Sequence, residues 1–250
     1  MNVKIIALLL FGIIVVSCVK NKHNALNDEQ LNPTAKSKSN NVSDSLNMAN
    51  LTRALKDSVK IESFIVTQYL HDSLPNGVYQ LRNLKELYVS RTYLKQIPPQ
   101  VCNLSKLESL DLDFNKLISI ENIVCLEKLK SLSLVGNRLS HLPADLSLLS
   151  RLWFLDISNN QFKDGLHSKL PPSIEELRIA NSELNHFPLE ILELKKLKRL
   201  NLSDNPNLKS IPIEINSLVN LTELIISDTG ISDDYKLKIQ ELIPNCVIYD

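Results

Sequence analysis

Along most of the chain, apolar residues recur at the first, fourth, sixth and eleventh places of a short block, with polar residues between them. The clearest blocks are LESLDLDFNKL (107–117), LKSLSLVGNRL (129–139) and LWFLDISNNQF (152–162). Apolar residues at the fourth and sixth places, such as Leu110 and Leu112 or Leu132 and Leu134, alternate with polar ones. That spacing predicts a short strand with one face turned inward and one outward. The block returns every 22 to 24 residues, as LKELYVSRTYL from Leu84, IEELRIANSEL from Ile174, LKRLNLSDNPNL from Leu197 and LTELIISDTGI from Leu221. A weaker first copy starts at Ile61, with Phe64, Val66 and Tyr69 in register, and a truncated last copy runs from Ile243 to Ile248. One such unit buries too little apolar surface to be stable alone, so the copies are predicted to stack as parallel strands that share a core.

The ninth place predicts how the stack is tied together. Asn115, Asn137, Asn160 and Asn205 each carry a donor and an acceptor for the backbone where the chain leaves the sheet. Thr92, Ser182 and Thr229 stand at this place in other copies, and weaker bonding is expected there. Pro75, Pro98, Pro143, Pro188 and Pro212 recur at a later corner. They fix φ and remove a ladder donor, so turns and short helical pieces are expected opposite the sheet. Met48, Leu51, Leu55 and Val59 form a helical stripe behind a possible cap at Asp44 or Ser45, and 235–243 reads as a second amphipathic helix. Both ends are thus expected to be sealed, giving a complete solenoid whose nine strands span about 40 Å.

The pattern L-x-x-L-x-L-x-x-N-x-L, repeated over residues 61–250, resembles the leucine-rich repeat family. The resemblance implies an α/β solenoid: a curved parallel sheet on the concave side, turns and short helices on the convex side, and a helical N-terminal cap over 44–60. It also implies a concave face that binds another molecule.

The first residues read as an address. Lys4 precedes an apolar run of twelve, Ile5 to Val16, which has the layout of an export signal and is too short to span a bilayer. Val15-Val16-Ser17-Cys18 resembles the lipobox of bacterial lipoproteins. This implies a signal peptide over 1–17, an acylated Cys18 and lipid anchoring in a bacterial cell envelope. From Lys20 to about Val42 the chain is too polar to bury a core, so 18–43 is expected to be a tether reaching roughly 25 to 30 Å. No acidic cluster follows Cys18, which leaves the periplasmic and surface faces both open.

Composition narrows the chemistry. The chain has 250 residues, 46 of them leucine, and balances 28 Lys+Arg against 28 Asp+Glu, so nothing favours nucleic acid. Five glycines leave no phosphate-cradling motif, and the five histidines form no recognisable catalytic motif, so neither cofactor nor enzymatic activity is expected. Cys102 and Cys125 lie 23 residues apart at equivalent places of adjacent copies. A disulfide is conceivable there, but a pair of small apolar side chains is the expectation, on the ground that convex spacing exceeds disulfide reach. Cys246 is expected to replace a core leucine at the fourth place of the last copy.

Function is read from the outward places: the third, fifth, seventh and eighth of each copy. Tyr88, Phe114 and Phe154, with neighbouring Trp153, lie there beside Asp111, Asp113 and Asp156, with Arg91 and Arg178 on the same face. Aromatic anchors among carboxylates predict a protein or peptide interface for a segment with basic residues. The same residues also suit a plainer role, aromatics covering neighbouring copies and aspartates solvating an open sheet. Asp111, Asp113 and Asp156 have a geometry that suits a hard cation, but a solvated acidic face is expected and no metal. Two other settings compete: an adhesin-like role facing a host, and an intracellular scaffold, since the 23-residue copies with Leu-Pro corners resemble repeats that bind small GTPases.

Overall fold

The computed structural model describes residues 48–250. In this stretch the inward leucines of each copy meet those of the next, and nine strands form one parallel sheet in chain order. The strands are β1 (Ser63–Thr67), β2 (Glu86–Ser90), β3 (Ser109–Asp111), β4 (Ser131–Ser133), β5 (Phe154–Asp156), β6 (Glu176–Arg178), β7 (Arg199–Asn201), β8 (Glu223–Ile225) and β9 (Val247–Tyr249). Equivalent residues pair throughout, as in Leu110↔Leu132 and Leu132↔Leu155. A single apolar cluster runs from Leu51 to Cys246. Each fully buried leucine contributes about 2 kcal/mol by removing its side chain from water, and the sharing between neighbours makes that burial possible.

Opposite the sheet, most rungs carry a short 3-10 helix: Asn76–Gln80, Pro99–Asn103, Glu121–Cys125, Leu146–Leu148, Leu189–Glu193 and Ile213–Ser217. The proline corners start several of them. Val101, Ile191 and Ile215 donate their N–H to the carbonyls of Pro98, Pro188 and Pro212 at 3.0 to 3.1 Å, and their side chains enter the core. The connection between β5 and β6 carries no such helix; its Lys169 instead forms a lone parallel bridge to Asp145 of the preceding connection.

Cys102 and Cys125 are joined by a disulfide, with Cα atoms 5.6 Å apart, which corrects the expectation of an unbonded apolar pair. The reason is the slimness of the 3-10 turns. Pro99–Asn103 and Glu121–Cys125 stack almost as closely as the strands do, well inside disulfide reach.

At the N-terminal end, helix α1 covers 48–56 and buries Leu51 and Ala54, with Leu55 packed against them. Gly77 leaves room for this helix, since a Cβ there would stand 3.0 Å from Leu55 Cδ1 and 3.1 Å from Leu51 Cδ2. The expected stripe is shorter than predicted. Met48 is exposed, and Val59 falls in the turn that follows the helix and is exposed too. The proposed caps Asp44 and Ser45, and Cys18, lie outside the described residues. At the other end helix α2 (Asp233–Leu242) starts two residues before the expected Tyr235. It buries Ile239, and Tyr235 Oη donates to the Ile211 carbonyl at 2.9 Å. Cys246 is buried, but it does not hold the fourth place expected of it: Ile248 pairs with Leu224, so the last copy is shifted by two residues, because the turn before β9 places Cys246 in the core ahead of the strand. Burial pushes the Cys246 thiol up to about 11.

Candidate binding surface

The concave face rests on the ninth-place ladder. Asn160 shows the pattern: Nδ2 donates to the carbonyl of Leu134 in the previous rung and to that of Ile157 in its own, both at 2.9 Å, while Oδ1 accepts from Leu139 N–H at 3.0 Å. Asn115, Asn137 and Asn205 bridge rungs in the same way. Ser182 has only one hydroxyl, placed 3.3 Å from the Ile157 carbonyl and 3.1 Å from that of Ala180. Thr229 bonds only within its own rung, to the Ile226 carbonyl at 2.7 Å. Thr92 instead donates its hydroxyl to Asn115, joining the ladder through its neighbour.

One place earlier, every rung from β1 to β8 turns through left-handed backbone. Gln68, Arg91, Phe114, Asn159, Asn181, Asp204 and Asp228 have φ between 46° and 57°, and Gly136 has φ 68°. From Gln68 to Asp204, the N–H of each eighth residue reaches the seventh-place carbonyl of the next rung, as Phe114 does to Val135 at 2.7 Å and Asn159 to Ala180 at 2.8 Å. Asn, Asp and Gly suit this conformation; Arg91 and Phe114 do not, and each costs about 1 kcal/mol there. Phe114 is 52% exposed even so. Its ring lies over Gly136, where a Cβ would stand 2.7 Å from Phe114 Cδ1, and the Arg91 guanidinium sits 5.8 Å from the ring centre.

The structure brings most of the predicted residues onto one surface, though not as free groups. Asp111 and Asp156 lie on either side of Ser133 in the strand register. Each folds an oxygen back to the N–H two residues on, Asp113 and Ser158 respectively, both at 3.0 Å. Asp113 lies past the end of β3, where Oδ1 accepts from Ser133 Oγ at 2.6 Å and Val135 N–H at 2.8 Å. Burial raises the carboxyls of Asp111 and Asp113, the latter to about 6. Among the described residues, no group of three His, Cys, Asp or Glu side chains is placed to hold a metal ion. Tyr88 is half-buried beside Glu86, and burial is the main cause of its raised phenol pKa.

Toward the C-terminal half lies a cluster that the sequence reading did not assemble. Glu176 is only 5% exposed and accepts from Arg178 Nε at 2.8 Å and Arg199 Nε at 2.9 Å. Arg178 also stands 3.7 Å from Asp156 and over the Phe154 ring, 5.2 Å from its centre. Thus Arg178, predicted as a contact residue, is held from three sides. The third, fifth, seventh and eighth places of the rungs from β2 to β8 carry eight carboxylates and three arginines, a formal charge of −5 in a chain whose total is zero.

A second column runs along the N-terminal rim of the strands, at the second place. Lys85 pairs with Glu62, Lys130 with Glu108 and Lys198 with Glu175, each at 2.8 Å. Trp153 interrupts this alternation. It is 44% exposed, its ring 5.8 Å from that of Phe154 and tilted by 59°. Two shallow polar depressions open at the opposite rim, one among Lys163, Asn181, Glu183 and Asp204, the other among Ser140, His141, Gln161, Asp164 and His167. In the second, Ser140 Oγ lies 3.2 Å from His141 Nδ1, but among the described residues no carboxylate is hydrogen-bonded to that imidazole to orient it.

A family profile described as a leucine-rich repeat region matches residues 64–179, and a second leucine-rich repeat profile matches 196–218. No curated protein matches the chain. Among solved structures, the chain is similar to two internalins of Listeria monocytogenes. With internalin C2 it shares 24% identity and a TM-score of 0.62, over 78% of this chain and 83% of that one. With internalin inlF it shares 23% identity and a TM-score of 0.56, over 78% of this chain, and it spans only 62% of that protein. It is also similar to the plant peptide hormone receptor RGFR1 in complex with RGF2, at 26% identity and a TM-score of 0.55 over 71% of this chain and 30% of the receptor.

Proposed function

Because the chain is a leucine-rich repeat protein, we propose that it is a non-catalytic binding module whose concave face holds a protein or peptide segment bearing basic residues. The reading rests chiefly on one observation: a parallel sheet face, uncovered among the described residues, that concentrates a formal charge of −5 near the exposed rings of Phe114 and Trp153 in a chain with no net charge. Such a field attracts and orients a cationic segment, and the aromatic rings supply the apolar contact area. Tyr88, Arg91, Asp111, Asp113, Phe114, Trp153, Phe154, Asp156 and Arg178 form the contact set. The plant receptor's description as a complex with RGF2 supports a peptide ligand for a similar scaffold. The leucine-rich repeat fold, generally an interaction scaffold, supports a role without catalysis, and in this proposal the face takes neither cofactor nor nucleic acid.

In this proposal residues 1–17 are removed as a signal peptide, Cys18 is acylated, 18–43 tether the solenoid to a bacterial envelope membrane, and 44–60 cap it. The Cys102–Cys125 disulfide supports an oxidising compartment over the intracellular scaffold. No helix among the described residues is long and apolar enough to cross a membrane, so in this reading attachment falls to the lipid. Crosslinking in the native cell followed by mass spectrometry, repeated with Tyr88, Phe114 and Phe154 all changed to Ala, tests the binding reading. The partner should be lost while Tm stays nearly unchanged; a partner retained by the triple variant refutes the patch. Incorporation of radioactive palmitate into wild type but not Cys18→Ala tests the anchor, and unlabelled wild type would return the intracellular reading.

A further inference from the structure

The charge column on the N-terminal rim bears on how a ligand is gripped. Glu62, Lys85, Glu108 and Lys130 follow one another at the second place of successive rungs, and Glu175 and Lys198 continue the column beyond β5. Each of these charges already has a partner at 2.8 Å. A ligand crossing the rim therefore meets neither a free charge to pair with nor an unpaired one to desolvate. The break in the column is Trp153.

Among the described residues its indole makes a ring contact with Phe154 and no hydrogen bond. The backbone of Trp153 is bonded on both sides: its N–H donates to the Lys130 carbonyl, and its own carbonyl accepts from Glu175 and Glu176. The side chain remains 44% exposed, and among the described residues its Nε1–H has no protein acceptor. Lys130 and Glu175 on either side are satisfied by Glu108 and Lys198, so neither needs a charge or a spacer at this place. Phe154 extends the apolar area onto the concave floor, and Asp156 follows two residues later beside Asp111 and Asp113. A large exposed aromatic ringed by already paired polar groups is the arrangement in which a single side chain carries much of an interface's energy.

The geometry points to Trp153, stacked with Phe154, as the anchoring point for an apolar side chain of the ligand, a few residues from a lysine or arginine that reaches the carboxylates beside Ser133. This rests on the proposed binding function and narrows it. The partner is a polypeptide segment with an apolar residue and a basic residue close together, and a segment that is merely basic does not satisfy the site.

Trp153 is the only tryptophan in the chain, so its emission reports on this point directly. The full chain, solubilised in mild detergent, is used to select binders from a displayed library of tryptophan-free random decapeptides. Enriched peptides are then titrated by calorimetry and by intrinsic fluorescence. The expected outcome is peptides pairing a large apolar residue with Lys or Arg, a blue shift of emission on binding, and affinity at least tenfold weaker for Trp153→Ala than for Trp153→Phe. Peptides that bind the concave face, losing affinity in Asp111→Asn and Asp113→Asn, but leave the emission and the Trp153→Ala affinity unchanged would overturn the anchor and spare the binding function. A library that yields no binder with a basic residue would overturn both.

Discussion

Replacing Asn160 by Ala tests whether the ninth-place asparagines hold the rungs together. The substitution removes two donations to the Leu134 and Ile157 carbonyls at 2.9 Å and leaves the Leu139 N–H, formerly 3.0 Å from Oδ1, without an acceptor. Asn160 is 4% exposed, so water cannot readily replace these partners. At about 1 kcal/mol or slightly more for each stranded backbone group, the loss is about 3 to 4 kcal/mol. Ser182 occupies the same place one rung on and is fully buried, but its single hydroxyl is shared between acceptors at 3.1 and 3.3 Å. Ser182→Ala should therefore cost about 1 kcal/mol. Urea unfolding of both variants, followed by the same circular dichroism signal, measures the difference, and a gap of about 2 kcal/mol or more is expected. Equal losses, or a larger one for Ser182→Ala, would refute the view that the amide's separate donor and acceptor bind one rung to the next.

Asp113→Asn should stabilise the fold at pH 8 and not at pH 4. Burial raises the carboxyl from 3.8 to about 6, so the folded state favours the protonated form. The wild type thus keeps its full stability below about pH 4 and loses some as pH rises through 6, whereas the amide retains the Oδ1 acceptor and stays neutral. After allowance for solvent screening the gain is about 1 to 2 kcal/mol, and a Tm difference independent of pH would contradict it. Gly136→Ala should cost about 1 to 2 kcal/mol, because φ 68° strains any side chain and the new Cβ meets Phe114. In Phe114→Ala the same substitution should cost less but still something, as chemical denaturation of the four proteins in the cycle would show. Replacing both Cys102 and Cys125 by Ser should lower stability by about 3 kcal/mol, since the bond closes a 23-residue separation. Reductant should lower the wild-type Tm and leave the double variant unmoved.

The spine of the fold was legible because it is periodic: Leu110, Leu132 and Leu155 recur at one place in successive copies and pair in the sheet. The asparagine ladder was legible for the same reason. Side-to-side relations between copies were not. Glu176 stands outward when its strand is read alone, yet Arg178 and Arg199 from two different rungs enclose it. The disulfide was misjudged because convex spacing depends on how tightly 3-10 turns stack, which the spacing of Cys102 and Cys125 does not encode. The left-handed column left a signal in Gly136, Asn159, Asn181, Asp204 and Asp228, all residue types that tolerate φ near 60°, but Arg91 and Phe114 obscured it. Val59 kept the helical spacing past the point where the helix had ended.

The Cys102–Cys125 link has a mechanical consequence. If the solenoid hangs from its N-terminus while a ligand grips β2 to β5, tension enters through α1 and β1 and leaves through those rungs. The covalent strap clamps the connection after β2 to the connection after β3, within that stretch. Pulling can then peel the first rungs but cannot lengthen the chain between the two sulfurs, and β6 to β9 lie off the load path, free of tension.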